Sequence, residues 1–119
     1  MENKFSLNNN IQIILGDFFK HQGEYDLILE QTFFCAINAN LRKSYVAKMI
    51  ELLSTDGKLA GVLFNKIFAQ QGPPFGGSKR EYKSLFENWF ELQVFDPCYN
   101  SFNKRQGTEL FIILQKKIA

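Results

Sequence analysis

The sequence predicts a protein of the α/β class with a mixed, mainly parallel sheet. Apolar runs rich in Leu, Ile and Val alternate with helical patterns in the order β-β-α-β-α-β-β, which is typical of a sheet covered by helices. A strand, a helix and a strand between residues 25 and 65 are expected to form one right-handed crossover unit. With 119 residues, of which 45% are hydrophobic, the chain 1–119 is expected to form one domain.

The first half of the chain contains two predicted strands and one predicted helix. A β-branched run, IQIIL, occupies residues 11–15 and ends at a glycine, which is typical of a strand. The next strand is expected at residues 25–30. After an asparagine-rich turn, apolar side chains at helical spacing predict a helix over 41–53 that ends before Asp56-Gly57. Four charged residues of this helix are expected to face outward: Arg42, Lys43, Lys48 and Glu51.

The second half is predicted to contain a strand, a long loop, a second helix and an antiparallel pair of strands. The strand GKLAGVLFN spans 57–65, and the proline and glycine residues of 66–78 preclude a regular helix there. A second amphipathic helix is expected over 79–90, followed by strands over 90–96 and 108–116 that lie side by side. Three aromatic residues are expected on the buried face of this helix: Tyr82, Phe86 and Trp89.

Composition argues against several classes of partner and site. The formal net charge is only +2, and the basic residues are scattered among acids, so no nucleic-acid partner is predicted. Cys35 lies in an apolar run and is expected to be a buried thiol. Cys98 and the single histidine, His21, have no metal-ligand spacing, so no metal site is predicted. The sequence shows no signal peptide and no membrane-length apolar run, so a soluble cytoplasmic protein without a membrane partner is expected.

A polar triplet interrupts the apolar stretch YDLILEQTFFCAI, residues 25–37. Burying an unpartnered polar group costs about 1–3 kcal/mol, so Glu30, Gln31 and Thr32 either mark a surface turn or belong to a site. Glu30 ends one predicted strand and Asp17 follows another, and open α/β sheets bind ligands outside the carboxyl ends of their strands. Plainer interpretations stay open: a turn cap for Asp17, an exposed strand end for Glu30 and Gln31, and an ordinary loop for GPPFGG.

A family resemblance is carried by several separated motifs that occur in the same order. The run GDFF…YDLILEQTFFCAINANLRKSYVAKMIELLSTDGKLAGVLFN…GPPF, between about residues 11 and 116, resembles the thiopurine S-methyltransferase family. It is most similar to the halide and thiol methyltransferase branch. The resemblance implies a Rossmann-like fold, S-adenosylmethionine (SAM) as cofactor, and transfer of its methyl group to a small thiol, thiopurine-like or halide acceptor.

The resemblance also implies which residues bind the cofactor and face the acceptor. Asp17 and Phe18 match the family position whose side chain and backbone contact the adenine of SAM. Glu30 and Gln31 match the acidic residue and its successor at the end of the family's fourth strand, although the family carries Arg or Tyr at the second position. No catalytic residue is implied. The residues implied on the acceptor side are Thr32, Phe33, Pro74 and Phe75.

The resemblance further implies that these 119 residues correspond to the C-terminal two-thirds of a methyltransferase domain. The glycines do not form the nucleotide-binding fingerprint in a strand–turn–helix setting, so the glycine-rich βαβ unit is expected to lie outside this sequence. We expect the chain alone to bind SAM weakly or not at all. The alternative interpretation is a non-catalytic remnant or interaction domain that keeps the fold without binding SAM.

Loss of the family's first strand predicts a packing problem at the strand over 25–30. In the family fold this strand lies between the first and the fifth strands, so here it becomes an exposed edge rich in Leu and Ile, which favours aggregation. Three arrangements would cover it: pairing with the strand over 11–15, a second copy of the chain, or a separately encoded N-terminal half. A homodimer or the N-terminal fragment is the expected partner.

Overall fold

The structure, a computed structural model, describes residues 4–8, 11–66, 75–97 and 108–117. Within these ranges the strands are β1 (Lys4–Asn8), β2 (Ile11–Ile14), β3 (Tyr25–Gln31), β4 (Leu53–Phe64), β5 (Phe90–Pro97) and β6 (Glu109–Lys116). The α-helices are α1 (Phe33–Ala36), α2 (Arg42–Leu52) and α3 (Lys79–Phe86), and short 3-10 turns occur at Phe18–Lys20 and Ala39–Leu41. The predicted α/β class is confirmed.

The main sheet has four strands in the order β3-β4-β6-β5. β3 pairs with β4 in parallel, and β6 pairs in antiparallel fashion with both β4 and β5, so the predicted antiparallel C-terminal pair is confirmed. β1 and β2 form a separate two-stranded antiparallel sheet. The first arrangement proposed to cover the edge is therefore wrong, because β2 pairs with β1, a strand that the sequence did not predict, in a sheet that does not include β3.

Helices α1, α2 and α3 cover one face of the main sheet. Register places Leu59 beside Leu114 and Leu63 beside Leu110, so these side chains point to the same side. They join the buried residues of the helices in one hydrophobic cluster, which supplies most of the favourable free energy of folding. The helical members are Phe34, Cys35, Tyr45, Val46, Met49, Tyr82 and Phe86.

Two helix ends differ from the periodicity-based prediction. α2 ends at Leu52, and Leu53 already pairs with Tyr25 in the sheet, so sheet pairing overrides the helical pattern before Asp56 is reached. α3 ends at Phe86, which leaves Trp89 in a turn with 56% of its surface exposed. The prediction that Trp89 belongs to the core is therefore wrong, whereas Tyr82 and Phe86 are buried as predicted. In the described ranges no helix is long and apolar enough to cross a membrane.

Candidate functional site

Asp17 begins the short turn that follows β2. Its side-chain Oδ1 accepts a hydrogen bond of 2.9 Å from the backbone N–H of Phe19, and this bond caps the 3-10 turn. The plainer interpretation as a turn cap is therefore correct for one carboxylate oxygen. The residue is exposed, and the second oxygen has no hydrogen-bond partner among the described residues, so it is free to accept from a ligand.

A cavity of about 300 Å³ lies against this turn. Its volume is at the lower end of the range for small-molecule pockets, roughly 300–1,000 Å³. His21 contributes to the lining, and its Nε2 is joined to the Tyr25 hydroxyl by a hydrogen bond of 2.7 Å, which orients the ring. Sequence reasoning missed His21 because a lone histidine in a polar stretch gave no signal of a cavity. The lining residues are Gln12, Ile14, Gly16, Asp17, Phe18 and His21.

Phe18 brings the loop after β2 against the turn after β3. Its ring packs edge-on against Phe33, with the ring centroids 5.0 Å apart, and lies 5.8 Å from the ring of Tyr45. Such aromatic pairs contribute about 0.5–1.5 kcal/mol beyond the area they bury. The structure thus brings together Phe18 and Phe33, which lie in two separate segments of the sequence and directly follow Asp17 and Thr32.

Glu30 points into the protein and not toward the cavity. It is only 4% exposed, so its interpretation as an exposed strand end is wrong. Its carboxylate accepts hydrogen bonds from the backbone N–H groups of Phe33 (3.0 Å) and Phe34 (3.2 Å) and from the hydroxyl of Tyr45 (2.6 Å). These donors come from the turn that follows and from α2, so the side chain holds the end of β3, α1 and α2 together.

The turn after β3 has a left-handed residue at Thr32. Its φ is 65°, and such a backbone costs a non-glycine residue about 1–3 kcal/mol. The Thr32 hydroxyl donates to the carbonyl of Gln31 over 2.6 Å, while Gln31 itself is exposed. Because the Glu30 carboxylate accepts from the next two N–H groups, the strained turn is held in place at the rim of the candidate site.

The segment that the resemblance assigns to the acceptor side is tied to α1. The backbone N–H of Phe75 donates to the carbonyl of Cys35 over 2.7 Å. Nη2 of Arg42 donates to the carbonyls of Phe75 (3.1 Å) and Gly76 (2.9 Å). Phe75 therefore lies close to α1. Pro74 lies outside the described residues.

The outward position predicted for Arg42 is wrong. Its side chain is only 8% exposed, with the guanidinium 4.7 Å from the ring centroid of Phe34 and 5.4 Å from that of Tyr82. Two aromatic faces and two carbonyls compensate its desolvation, although its Nε has no hydrogen-bond partner in the described structure. No pattern on the helix reveals this, since the accepting carbonyls are more than thirty residues away in sequence.

Comparison with known proteins identifies the family. The sequence profile of the thiopurine S-methyltransferase (TPMT) family matches residues 1–116. The chain belongs to this family. It is similar to the thiopurine S-methyltransferase of Acinetobacter baylyi, with 28% identity over 115 residues that cover 89% of this chain and 52% of that enzyme. It is also similar to a probable thiol methyltransferase of Arabidopsis thaliana, with 34% identity over 71 residues, covering 58% of this chain and 31% of that protein.

Solved structures of methyltransferases share the fold of this TPMT-family chain. A SAM-dependent methyltransferase from Methanosarcina mazei superposes with a TM-score of 0.69 at 14% identity, covering 87% of this chain and 66% of that one. The N-methyltransferase NodS from Bradyrhizobium japonicum, in complex with S-adenosylhomocysteine (SAH), superposes with a TM-score of 0.68 at 10% identity, covering 87% and 53%. The chain spans about half the length, or less, of the curated relatives described above.

Replacing Arg42 with lysine is expected to destabilise the TPMT-family fold. An ammonium group lacks the planar surface that lies over Phe34 and Tyr82. We expect a loss of about 1–3 kcal/mol in the free energy of unfolding, measured by urea denaturation. The matched control is Arg80→Lys at an exposed position of α3, which should change stability by less than about 0.5 kcal/mol. Equal stabilities for the two variants would show that the Arg42 contacts contribute nothing.

Burial keeps three ionisable groups in the core beneath the turn after β3 in their neutral forms. The pKa of Tyr45 is raised well above its ordinary value, first by burial and then by the negative charge of Glu30. Burial also raises the pKa of the Cys35 thiol and raises the pKa of Tyr82 to about 12. A thiol with a raised pKa is a poor nucleophile, so Cys35 has the properties of a packing residue.

These raised pKa values predict a loss of stability at alkaline pH. The stabilising contribution of each group is fully present below its unfolded-state pKa, 9.0 for Cys35 and 10.0 for the tyrosines. Between that value and the raised pKa of the folded protein, only the unfolded chain releases the proton, so stability falls over that interval by at most about 1.4 kcal/mol per pH unit for each group. Urea denaturation at pH 8, 10 and 11 should show this decrease. A free energy of unfolding that stays constant across that range would contradict the described burial.

Proposed function

We propose that this chain supplies the nucleobase side of a SAM site in a methyltransferase that acts on a small thiol, thiopurine-like or halide acceptor. One observation carries the proposal. The loop after β2 and the turn after β3 meet through the Phe18–Phe33 contact, beside a cavity with an available Asp17 oxygen. Family membership and this juxtaposition together support SAM as the cofactor.

The residues around the cavity fit the adenine end of SAM. The second carboxylate oxygen of Asp17 is suited to accept from the exocyclic amino group, and the half-buried ring of Phe18 presents an apolar surface for the purine. Gln31 is exposed at the strand end and is proposed to contact the cofactor closer to its methyl group. Glu30 is proposed to act as a positioning residue, because its carboxylate is occupied by three donors.

The acceptor is proposed to lie on the side of Thr32, Phe33 and Phe75, with Pro74 assigned there by the resemblance alone. Phe33 is partly exposed, and Phe75 is tied to α1 through Cys35. Aromatic walls favour soft, polarisable acceptors over strongly hydrated ones. Bound SAM supplies an electrophilic methyl group, and the residues of this chain align the acceptor with it. Such alignment contributes up to about 7–11 kcal/mol to lowering a barrier.

The proposal is tested with a chimera in which residues 1–116 replace the matching part of the Acinetobacter baylyi enzyme. SAH at 100 times its dissociation constant should stabilise the folded chimera by about 2.7 kcal/mol. Asp17→Asn keeps the turn cap but loses the charge, and it should weaken SAH binding about tenfold. The control Leu41→Lys, on the exposed helical side, should bind SAH normally.

The acceptor class is decided by the same chimera. Methyl transfer from SAM is measured with a small thiol, a thiopurine and thiocyanate as separate acceptors, and at least one should be methylated. A folded chimera that is not stabilised by SAH would overturn the proposed function and favour a non-catalytic domain that retains the fold.

A further inference from the structure

His21 lines the same cavity as Asp17 and is held there by four contacts. Its backbone N–H donates to the carbonyl of Phe18 over 3.1 Å, and its carbonyl accepts from Nζ of Lys48 over 3.0 Å. Its ring stacks on the ring of Tyr25, with the centroids 5.9 Å apart and an interplanar angle of 16°. Nε2 forms a hydrogen bond of 2.7 Å with the Tyr25 hydroxyl. The imidazole therefore has a fixed place in the cavity wall, although the family resemblance gives it no role.

The other ring nitrogen of His21, Nδ1, has no hydrogen-bond partner among the described residues. The contact at Nε2 determines whether Nδ1 carries the proton. A phenol is a stronger donor than a neutral imidazole, and an imidazole nitrogen is a stronger acceptor than a phenol oxygen, so the Tyr25 hydroxyl donates to Nε2. In that tautomer the imidazole proton is on Nδ1. The cavity wall thus contains an N–H donor that no described residue uses.

Two polar groups of this cavity are therefore of opposite kind. The second carboxylate oxygen of Asp17 accepts hydrogen bonds, and Nδ1–H of His21 donates them. Adenine carries the matching pair, because its exocyclic amino group donates and the ring nitrogens on either side, N1 and N7, accept. Both residues line one cavity of about 300 Å³, so a single flat base can contact both. The amide of Gln12, which also lines the cavity, both donates and accepts and so selects neither kind of partner.

We propose that His21 is a specificity-determining residue for the nucleobase of the cofactor. Its Nδ1–H donates to the adenine ring nitrogen beside the amino group that Asp17 binds, and Tyr25 is the positioning residue that sets the tautomer. This inference rests on the proposed function, because it requires the nucleobase of SAM in this cavity. A base without that ring nitrogen leaves the N–H of His21 unpaired, and a site built to hydrogen-bond a group discriminates against ligands that lack it.

The tautomer of His21 is measured first, on the 119-residue chain without ligand. His21 is the single histidine of the sequence, so its imidazole signals need no further assignment. Long-range correlation of the ring nitrogens with the ring protons of the isotopically labelled chain at pH 8 should show a protonated Nδ1 and an unprotonated Nε2. Tyr25→Phe should increase the form that is protonated at Nε2. A proton on Nε2 in the unsubstituted chain would overturn the proposal.

Two substitutions separate a contact with the base from a merely structural role of His21. The side-chain nitrogen of asparagine lies near the position of Nδ1, and that of glutamine lies near the position of Nε2. Calorimetry on the chimera with the Acinetobacter baylyi enzyme measures the dissociation constant of SAH. His21→Asn should bind SAH within about twofold of the unsubstituted chimera, whereas His21→Gln should bind about three- to tenfold more weakly. If His21 only supported the fold through Tyr25, glutamine would be the better replacement. That reversed order would overturn the proposal.

Analogues of SAH in which carbon replaces N1 or N7 identify the contact on the base itself. One of the two analogues should bind the unsubstituted chimera about three- to tenfold more weakly than SAH does, and the His21→Gln chimera should not distinguish that analogue from SAH.

Two failures of these binding experiments are distinguishable. If SAH binds but neither analogue separates the His21→Gln chimera from the unsubstituted one, the role of His21 is overturned and the proposed function stands. A folded protein that binds no SAH would overturn the proposed function and this inference with it. If the chimera does not fold, the same titrations are followed by the amide chemical shifts of the labelled 119-residue chain.

Discussion

Replacing Glu30 with alanine is expected to lower the free energy of unfolding by about 3–5 kcal/mol. The carboxylate is buried and accepts from the N–H groups of Phe33 and Phe34 and from the hydroxyl of Tyr45. Its removal leaves three donors without an acceptor in a place that water does not reach. It also releases the left-handed turn at Thr32. The contact between Phe18 and Phe33, which joins the two loops of the site, should then be lost.

Two variants separate the role of Glu30 from a general effect of losing an acid. Glu24→Ala, at an exposed position before β3, should change stability by less than about 0.5 kcal/mol. Tyr45→Phe removes one of the three donors and should cost about 1–2 kcal/mol. Urea denaturation at pH 7 measures all three variants. If Glu30→Ala were as stable as Glu24→Ala, the carboxylate would not hold the turn.

Replacing Gly61 with alanine is expected to cost about 2–4 kcal/mol. A Cβ at this position would lie 2.1 Å from the carbonyl oxygen of Glu30 and 2.8 Å from its Cβ. The neighbouring strand must then move, because a backbone oxygen cannot swing away as a long side chain does. Since β4 is also held by β6, the strain should appear mainly as displacement of β3 and of the turn that follows it.

Gly16→Ala is the matched control for Gly61→Ala. A Cβ at Gly16 meets no atom within 4 Å, so this variant should be as stable as the wild type or slightly more stable, because alanine restricts the unfolded chain. Thermal unfolding of the two variants makes the comparison. Equal midpoints would mean that β3 and β4 approach each other less closely than the structure describes.

Periodicity was sufficient to predict most of the regular elements. Alternating or continuous apolar runs located β2, β3, β4, β5 and β6, and helical spacing located α2 and α3. Errors occurred where a distant segment decides the outcome. Leu53 pairs with Tyr25 instead of extending α2, and β1 has a short, polar sequence that became a strand by pairing with β2. The predicted exposure of the β3 edge is confirmed within the described residues, since Leu27 and Leu29 are largely exposed.

The candidate site was only partly predictable for the same reason. Asp17 and Glu30 were located by their positions at strand ends, but the direction of each side chain depends on partners elsewhere. The donor from Tyr45 lies fifteen residues after Glu30, and the carbonyls that hold Arg42 lie in another loop. One signal was available, because Glu30 shares the face of β3 with Ile28, which packs against the core. Strand alternation therefore indicated an inward carboxylate.

The central claim is that the rim formed by the two loops binds the nucleobase end of the cofactor. Titration of SAH into the isotopically labelled chain, followed by backbone amide chemical shifts, tests this directly because it detects weak binding. The account predicts shifts concentrated at Gly16–Phe19 and Gln31–Phe33. A larger cavity of about 720 Å³ lies between α2 and α3 beside Trp89. Shifts centred on that cavity and not on the two loops would contradict the account.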